Sequence, residues 1–327
     1  MTGIFAAMRS VSAAVVTAVV LLAPAYADPA PRVPHIGVLF DGRGGTTWTE
    51  GLRDGLRRLG YVDGKSIIIE WQGSAETYEQ MRVLAAELAR AEVKLIVTAG
   101  SPATPAALEA TELPVVFTFG DPVAAGYAVS LAKPGGRGTG ISVLSIELYP
   151  KRLQLLRELA PRARRIFFLR NPTNRLASRL LDELQAAGKT LGLQIQPLDA
   201  RDAGEVDTAL RSLRRSAPDA LIVSAEPLFM ATKAQIARAV RASKLPAVFP
   251  WREYHDEGVL MSYGPNLTAT GRQMAGYVDK ILRGAKPADL PIEQASTYEL
   301  IIDLRIARAM GLKVPQSLLA RADEVMR

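Results

Sequence analysis

The sequence predicts an α/β protein made of two doubly wound parallel-sheet lobes joined by a hinge. Three observations carry that expectation. Short apolar runs alternate with amphipathic helical stretches. The alternation runs its course twice, in two stretches of similar size, which implies two α/β domains side by side. Runs such as Leu95 to Val97 and Val115 to Phe117 lack polar alternation, as strands covered on both faces do. No sequence repeat relates the two halves.

In the first half, His35 to Phe40 is an apolar strand entering a Gly-rich loop, Gly42 to Gly45. Leu52, Leu56 and Leu59 follow at i, i+4 and i+7, so a helix precedes Gly60. Ile67 to Ile69 is a β-branched strand. Met81, Leu84, Ala85 and Leu88 line one face of the next helix. A further helix, near Ala103 to Ala110, separates the two buried strands already named. Gly138 to Val143, Gly-rich and then apolar, suits a crossing strand at a hinge.

In the second half, Leu153, Leu156 and Leu159 form a helix that Pro161 ends. Strands follow at Ile166 to Leu169, Leu193 to Leu198, Ala220 to Val223, Ala247 to Phe249 and Val259 to Ser262. Helices at Arg175 to Leu191, Val206 to Leu213 and Lys233 to Ser243 separate the first four of them.

Ligands of doubly wound sheets bind outside the carboxyl ends of the strands. Those ends carry Asp41 to Trp48, Gly100-Ser101-Pro102 and Gly120-Asp121-Pro122 in the first half. In the second they carry Asn171 to Asn174, Glu226-Pro227, Trp251 to Tyr254 and Tyr263 to Asn266. The candidate ligand-binding residues are therefore Trp48, Ser101, Asp121, Asn171, Asn174, Glu226, Trp251 and Tyr263. Each has a plainer reading. Ser101 and Asp121, each before a proline, also suit helix N-caps. Asn171-Pro172 is a turn dipeptide, and Trp251 suits a core. Their coincidence at one edge is what points to a cleft. Three aromatic residues there, Trp48, Trp251 and Tyr263, favour a ligand with a flat apolar part. The helix N-terminus after Ser101-Pro102 suits a carboxylate, and Asp121 or Glu226 an ammonium group, so the expected ligand is zwitterionic.

Catalytic and cofactor signals are missing. The chain has no Cys and two His, His35 inside the first strand and His255 in a loop or short helix read as solvated. It has no nucleophile elbow, no Walker loop and no Gly-x-Gly-x-x-Gly after the first strand. No cofactor, metal site or enzymatic activity is expected. The net charge of +7, one unit of which is Arg9, sits largely on helix faces such as Arg53, Arg57 and Arg58, so no nucleic-acid partner is expected.

Residues 1–27 have the layout of a secretory signal peptide: a short basic start, an apolar stretch from Val11 to Leu22, and Ala25-Tyr26-Ala27. Cleavage after Ala27 and a periplasmic protein beginning at Asp28 are expected.

Gly37-Val38-Leu39, Gly60-Tyr61-Val62-Asp63-Gly64, Gly120-Asp121-Pro122-Val123 and Leu131-Ala132-Lys133-Pro134-Gly135-Gly136 carry a family resemblance. So do Asn171-Pro172, Met261-Ser262-Tyr263-Gly264, Gly284 to Pro291 and the tail Leu318 to Val325. As a set they resemble the ABC-importer substrate-binding proteins of the tryptophan/tyrosine-binding type, over essentially the whole exported chain. The resemblance implies a type I periplasmic-binding-protein fold, with one lobe of residues 28–143 plus 264–297 and another of 144–263 plus 298–327. It also implies a monomer that traps a small molecule between its lobes and serves an ABC permease in the inner membrane. Relatives hold an aromatic amino acid through loops matching Asn171 to Asn174 and Ala225 to Pro227. The Pro227 that follows Glu226 and the bulky Trp48 are departures that reshape the pocket. An exported glycosyl-transferring enzyme and a ligand-sensing partner of a membrane receptor kinase remain the alternatives.

Overall fold

The computed structural model describes residues 33–40, 47–73, 78–100, 102–143 and 145–327. The expected signal peptide, most of the Asp41 to Trp48 loop and Ser101 lie outside the described residues.

The first lobe opens with β1 (His35–Leu39), α1 (Thr47–Arg58), β2 (Ile68–Gln72) and α2 (Tyr78–Arg90). It continues through β3 (Ile96–Ala99), α3 (Ala103–Ala110), β4 (Val115–Phe119) and β5 (Gly138–Ser142). The second lobe begins with α4 (Ser145–Leu159), β6 (Arg165–Arg170), α5 (Ala177–Leu191), β7 (Gln194–Asp199) and α6 (Ala203–Ser216). β8 (Ala220–Val223), α7 (Pro227–Ala231), α8 (Lys233–Ala242), β9 (Ala247–Phe249), a 3-10 segment (Arg252–Glu257) and β10 (Met261–Pro265) follow. α9 (Leu267–Leu282) and β11 (Glu293–Gln294) return to the first lobe. β12 (Tyr298–Asp303), α10 (Leu304–Met310), α11 (Gln316–Leu319) and β13 (Glu324–Met326) finish the second.

Two sheets result, of order β11-β5-β4-β3-β1-β2 and β13-β12-β10-β9-β8-β6-β7. The chain passes between them after β5, after β10 and between β11 and β12. Among the described residues, all strand pairings are parallel except β10 with β12. β12 arrives directly from the other lobe, so no helical crossover on its own sheet obliges it to run parallel. β4 and β8 are buried throughout, and β3 in all but its last residue, Ala99, as their apolar runs require. β2 starts one residue later than the Ile67–Ile69 run suggests, and Ile68 is exposed because β2 lies at the sheet edge.

The aliphatic faces of α1 and α9 close over the first sheet, joining Leu52, Leu56, Met274 and Val278 to Ile36, Val38 and Val97 in one apolar cluster. Two glycines set how closely these helices approach. A Cβ on Gly271 would lie 2.1 Å from the Trp48 carbonyl oxygen, and one on Gly51 2.2 Å from that of Thr268. Asn266 caps α9, its side chain accepting from the Ala269 N–H at 2.8 Å. The consequence for the site is positional: α9 clamps the first turn of α1, which carries Thr47 and Trp48. Gly271→Ala must push the helices apart, and a loss of about 2–3 kcal/mol is expected by denaturant unfolding. An unchanged midpoint would show that the helix pair yields freely.

His255 departs from its sequence reading. It is buried, its Nε2 lies 3.0 Å from Ser262 Oγ, and burial pulls its pKa down to about 4. The 3-10 segment folds inward against β10, so the ring is neutral and structural rather than solvated.

Candidate functional site: the interlobe cavity

The carboxyl ends of both sheets face a common cavity of about 470 Å³. The first lobe supplies Phe40, Thr47, Trp48, Gly100, Thr118 and Phe119; the second supplies Tyr149, Arg152, Asn174, Glu226, Trp251 and Glu253. Two side-chain hydrogen bonds also join the lobes. The Thr47 hydroxyl donates to Glu253 Oε1, and Arg175 Nη2 donates to Glu109 Oε1 at 2.8 Å. The Arg175 pair is solvent-exposed, so it contributes roughly 0.2–1 kcal/mol and biases closure without enforcing it.

Glu226 is buried at the start of α7, where Pro227 occupies the first helical position. Its side chain does not cap the helix. It accepts instead from Asn174 Nδ2 at 2.8 Å, while Asn174 Oδ1 accepts from the Leu176 N–H. Burial raises its pKa to about 8, and the Asn174 bond opposes the rise only partly. The cavity therefore holds a carboxyl group poised between protonated and ionised near neutral pH. A cationic group placed beside it favours the ionised form.

Arg152 is fully buried in α4. Its Nε donates to the Tyr263 carbonyl at 2.8 Å, tying α4 to β10, and its guanidinium lies over the Tyr149 ring at 4.9 Å. Neither Nη nitrogen has a hydrogen-bond partner among the described residues. Burial lowers its pKa against the opposing pull of Tyr149, Tyr263 and Tyr254, but a guanidinium stays charged at any pH the protein meets. Gly264 lies against the fork as well as against the Pro250 carbonyl: a Cβ there would sit 1.8 Å from that oxygen and 3.2 Å from Nη2. Glu253 is a third charged group, pushed up in pKa by burial; its Oε2 also lacks a partner among the described residues.

Of the residues singled out from the sequence, Trp48, Asn174, Glu226 and Trp251 line the cavity. Asp121, Asn171 and Tyr263 do not. Asp121 Oδ1 accepts from the Ala124 N–H at 2.9 Å, and Asn171 Oδ1 holds the N–H and hydroxyl of Thr173. Both serve their own turns. Tyr263 contributes its carbonyl to Arg152, and its ring packs on the apolar cluster that joins the lobes. Ser101 lies outside the described residues.

Sequence reasoning missed Arg152 and Tyr149, and it named the loops that hold Thr47 and Glu253 without singling out either residue. One signal was available for Arg152. It lies four residues after Leu148, three after Tyr149 and four before Leu156, a lone charge on an otherwise apolar helical stripe. Among the described residues, no group of three or more His, Asp or Glu is placed to hold a metal ion, and no helix is long and apolar enough to cross a membrane.

Comparison with known proteins agrees with this architecture. A structure of a conserved domain protein from Vibrio cholerae matches with a TM-score of 0.84 at 24% identity, over 90% of this chain and 100% of that one. A Streptococcus pneumoniae ABC domain in complex with L-Trp matches at 0.82 and 24% identity, over 90% and 99%. The ligand-free, open structure of a substrate binding protein with adhesive properties from Clostridium difficile matches at 0.64 and 25%, over 90% and 99%. The Tyrosine-binding protein of Clostridioides difficile is 26% identical over 267 residues, 81% of this chain and 76% of that protein. The family model described as "ABC transporter substrate binding protein" matches residues 35–326. With two α/β lobes enclosing one cavity and a family match across nearly all of both, the chain belongs to the ABC transporter substrate-binding protein family.

Proposed function

We propose that this protein is a periplasmic receptor for a small amino-acid-like solute with an apolar or aromatic side chain. It holds the solute between its lobes by hinge closure, without turnover, and passes it to the permease of an ABC importer in the inner membrane. The observation that carries this reading is the cavity of about 470 Å³, which both lobes line and which falls within the range of small-molecule sites. Its walls are mainly apolar, with Phe40, Trp48, Phe119 and Trp251 contributing aromatic surface. Glu226, ionised and held by Asn174, serves as the partner of the ligand's ammonium group. The likeness to a tyrosine-binding protein and to a domain complexed with L-Trp supports an aromatic amino acid. The layout of residues 1–27 supports export and cleavage after Ala27.

A thermal-shift screen of amino acids, sugars and small carboxylates tests the reading. A true ligand at 100 times its dissociation constant adds about 2.7 kcal/mol of stability. Stabilisation by sugars alone, with every amino acid inert, would overturn the amino-acid assignment.

A further inference from the structure

We infer that Arg152 is the anion receptor of the cavity: its two Nη nitrogens bind a free carboxylate of the ligand from the side of the second lobe. The inference rests on the proposed reading of the cavity as the solute site. It moves the carboxylate from the N-terminus of α3, where the sequence suggests it, to a side chain that the sequence reading passed over.

A guanidinium has five N–H donors, and the Nε bond to the Tyr263 carbonyl engages one of them. The remaining four belong to buried nitrogens that make no well-formed bond to an acceptor among the described residues; Tyr149, the neighbouring side chain that interacts with them, is neutral and leaves the charge without an anion. A purely structural arginine does not look like this. The tie between α4 and β10 needs only Nε, and a neutral donor would make it without placing a charge in the protein interior. Leaving a buried cation unmatched is strongly destabilising, so the residue fits a protein that meets its anion from outside. The Nε bond to the Tyr263 carbonyl and the face of Tyr149 hold the fork in a fixed place on the cavity wall.

Position gives the second argument. Glu226, the opposite charge, lines the same cavity but forms no ion pair with Arg152; its hydrogen bond is to Asn174. The two groups do not neutralise each other. A solute with a carboxylate at one end and an ammonium group at the other satisfies both at once. A planar carboxylate also matches the two-nitrogen fork, and charge-assisted bonds of this kind are roughly twice as strong as neutral ones. The ligand class that follows is the free amino acid, with its carboxylate unblocked, rather than a peptide, an amide or a neutral sugar.

The test is titration calorimetry on the whole exported protein with a fixed panel: the free L-amino acids, their C-terminal amides, indolepropionate, phenylpropionate and neutral sugars. The best-binding free amino acid should outbind its own amide by at least about 30-fold, which corresponds to about 2 kcal/mol. Arg152→Gln should weaken the acid by a similar factor and leave the amide nearly unchanged, so that the acid/amide ratio collapses toward one. Equal binding of acid and amide by the parent overturns the inference while leaving a solute receptor in place. So does a variant that loses acid and amide in equal proportion, because that is the signature of a structural arginine. If Arg152→Gln does not fold, Arg152→Lys, which keeps the charge and loses the two-nitrogen fork, takes its place, and an acid-to-amide ratio equal to the parent's overturns the inference. Binding of sugars only overturns the inference and the amino-acid reading together. No binding by any member of the panel overturns the receptor reading itself.

Discussion

At pH 8, Glu226→Gln is expected to bind the free amino acid about 10- to 100-fold more weakly than the parent, the range expected for losing a hydrogen bond to a charged group. At pH 6 the two proteins should converge. The reason is the buried setting of Glu226, which raises its pKa to about 8. If ammonium binding needs the ionised carboxylate, the parent's affinity rises roughly 50-fold between pH 6 and pH 8 by proton linkage, while the variant's stays flat. Below pH 8, binding should release a proton, and calorimetry in buffers of different ionisation enthalpy reads it. Arg152, Lys233, Glu253 and Asp256 line the same cavity, and Tyr149 and Tyr254 feel the Glu226 charge. All of these remain in the variant, so the difference between the two proteins isolates Glu226. A pH-independent affinity in the parent would remove Glu226 from the ammonium site.

The ligand-free proteins offer a separate check, with the opposite sign. A folded-state pKa raised above the ordinary carboxylate value means that the folded protein holds this proton more tightly than the unfolded chain does. The contribution to stability is complete below about pH 4.5 and is lost as pH rises through about 8. The melting temperature of the parent should therefore fall relative to Glu226→Gln across that window. His255, with its pKa near 4, is common to both proteins and cancels.

Trp48→Ala should destabilise the protein by about 3–5 kcal/mol, the usual cost of truncating a large buried aromatic residue. Trp48 is only 6% exposed, packs with Leu52, Met274 and Val278 in the core of the first lobe, and also lines the cavity. The same truncation at Trp251 acts differently. Trp251 is half-buried, stacks on Tyr254 at 6.5 Å between ring centroids, and sits at the edge of the second-lobe core. Its loss should lower affinity about tenfold, since aromatic contacts contribute up to about 1.5 kcal/mol beyond area, with a much smaller drop in melting temperature. Denaturant unfolding and calorimetry on both variants separate the roles. A Trp48→Ala protein with parental stability would show that the ring is ligand surface alone.

Much of this site was legible in the sequence, because strand carboxyl ends can be read from where an apolar run meets Gly, Pro or a polar residue. Asn174, Glu226, Trp48 and Trp251 meet that rule, and they line the cavity. Asp121 and Asn171 satisfy the same rule but bond their own loops. Short polar side chains next to proline suit local turns as well as they suit ligands, and a spacing rule cannot tell the two apart. The pattern also passed over Arg152 and Tyr149, because they lie inside a helix rather than at a strand end.

What the sequence determined by itself is the order of elements and the edge at which the polar loops gather. Both follow from the spacing of apolar residues, a local property that survives any arrangement of the lobes. The tertiary structure alone decided which charges are left to meet a ligand. Arg152 Nε finds the Tyr263 carbonyl from across 111 residues, at a point where the chain is about to leave the second lobe. Asn174 reaches Glu226 across 52 residues. Whether a buried charge is neutralised depends on which distant groups come within about 3 Å of it. That distance is set by the packing of two sheets and their crossings, not by any neighbour in the chain.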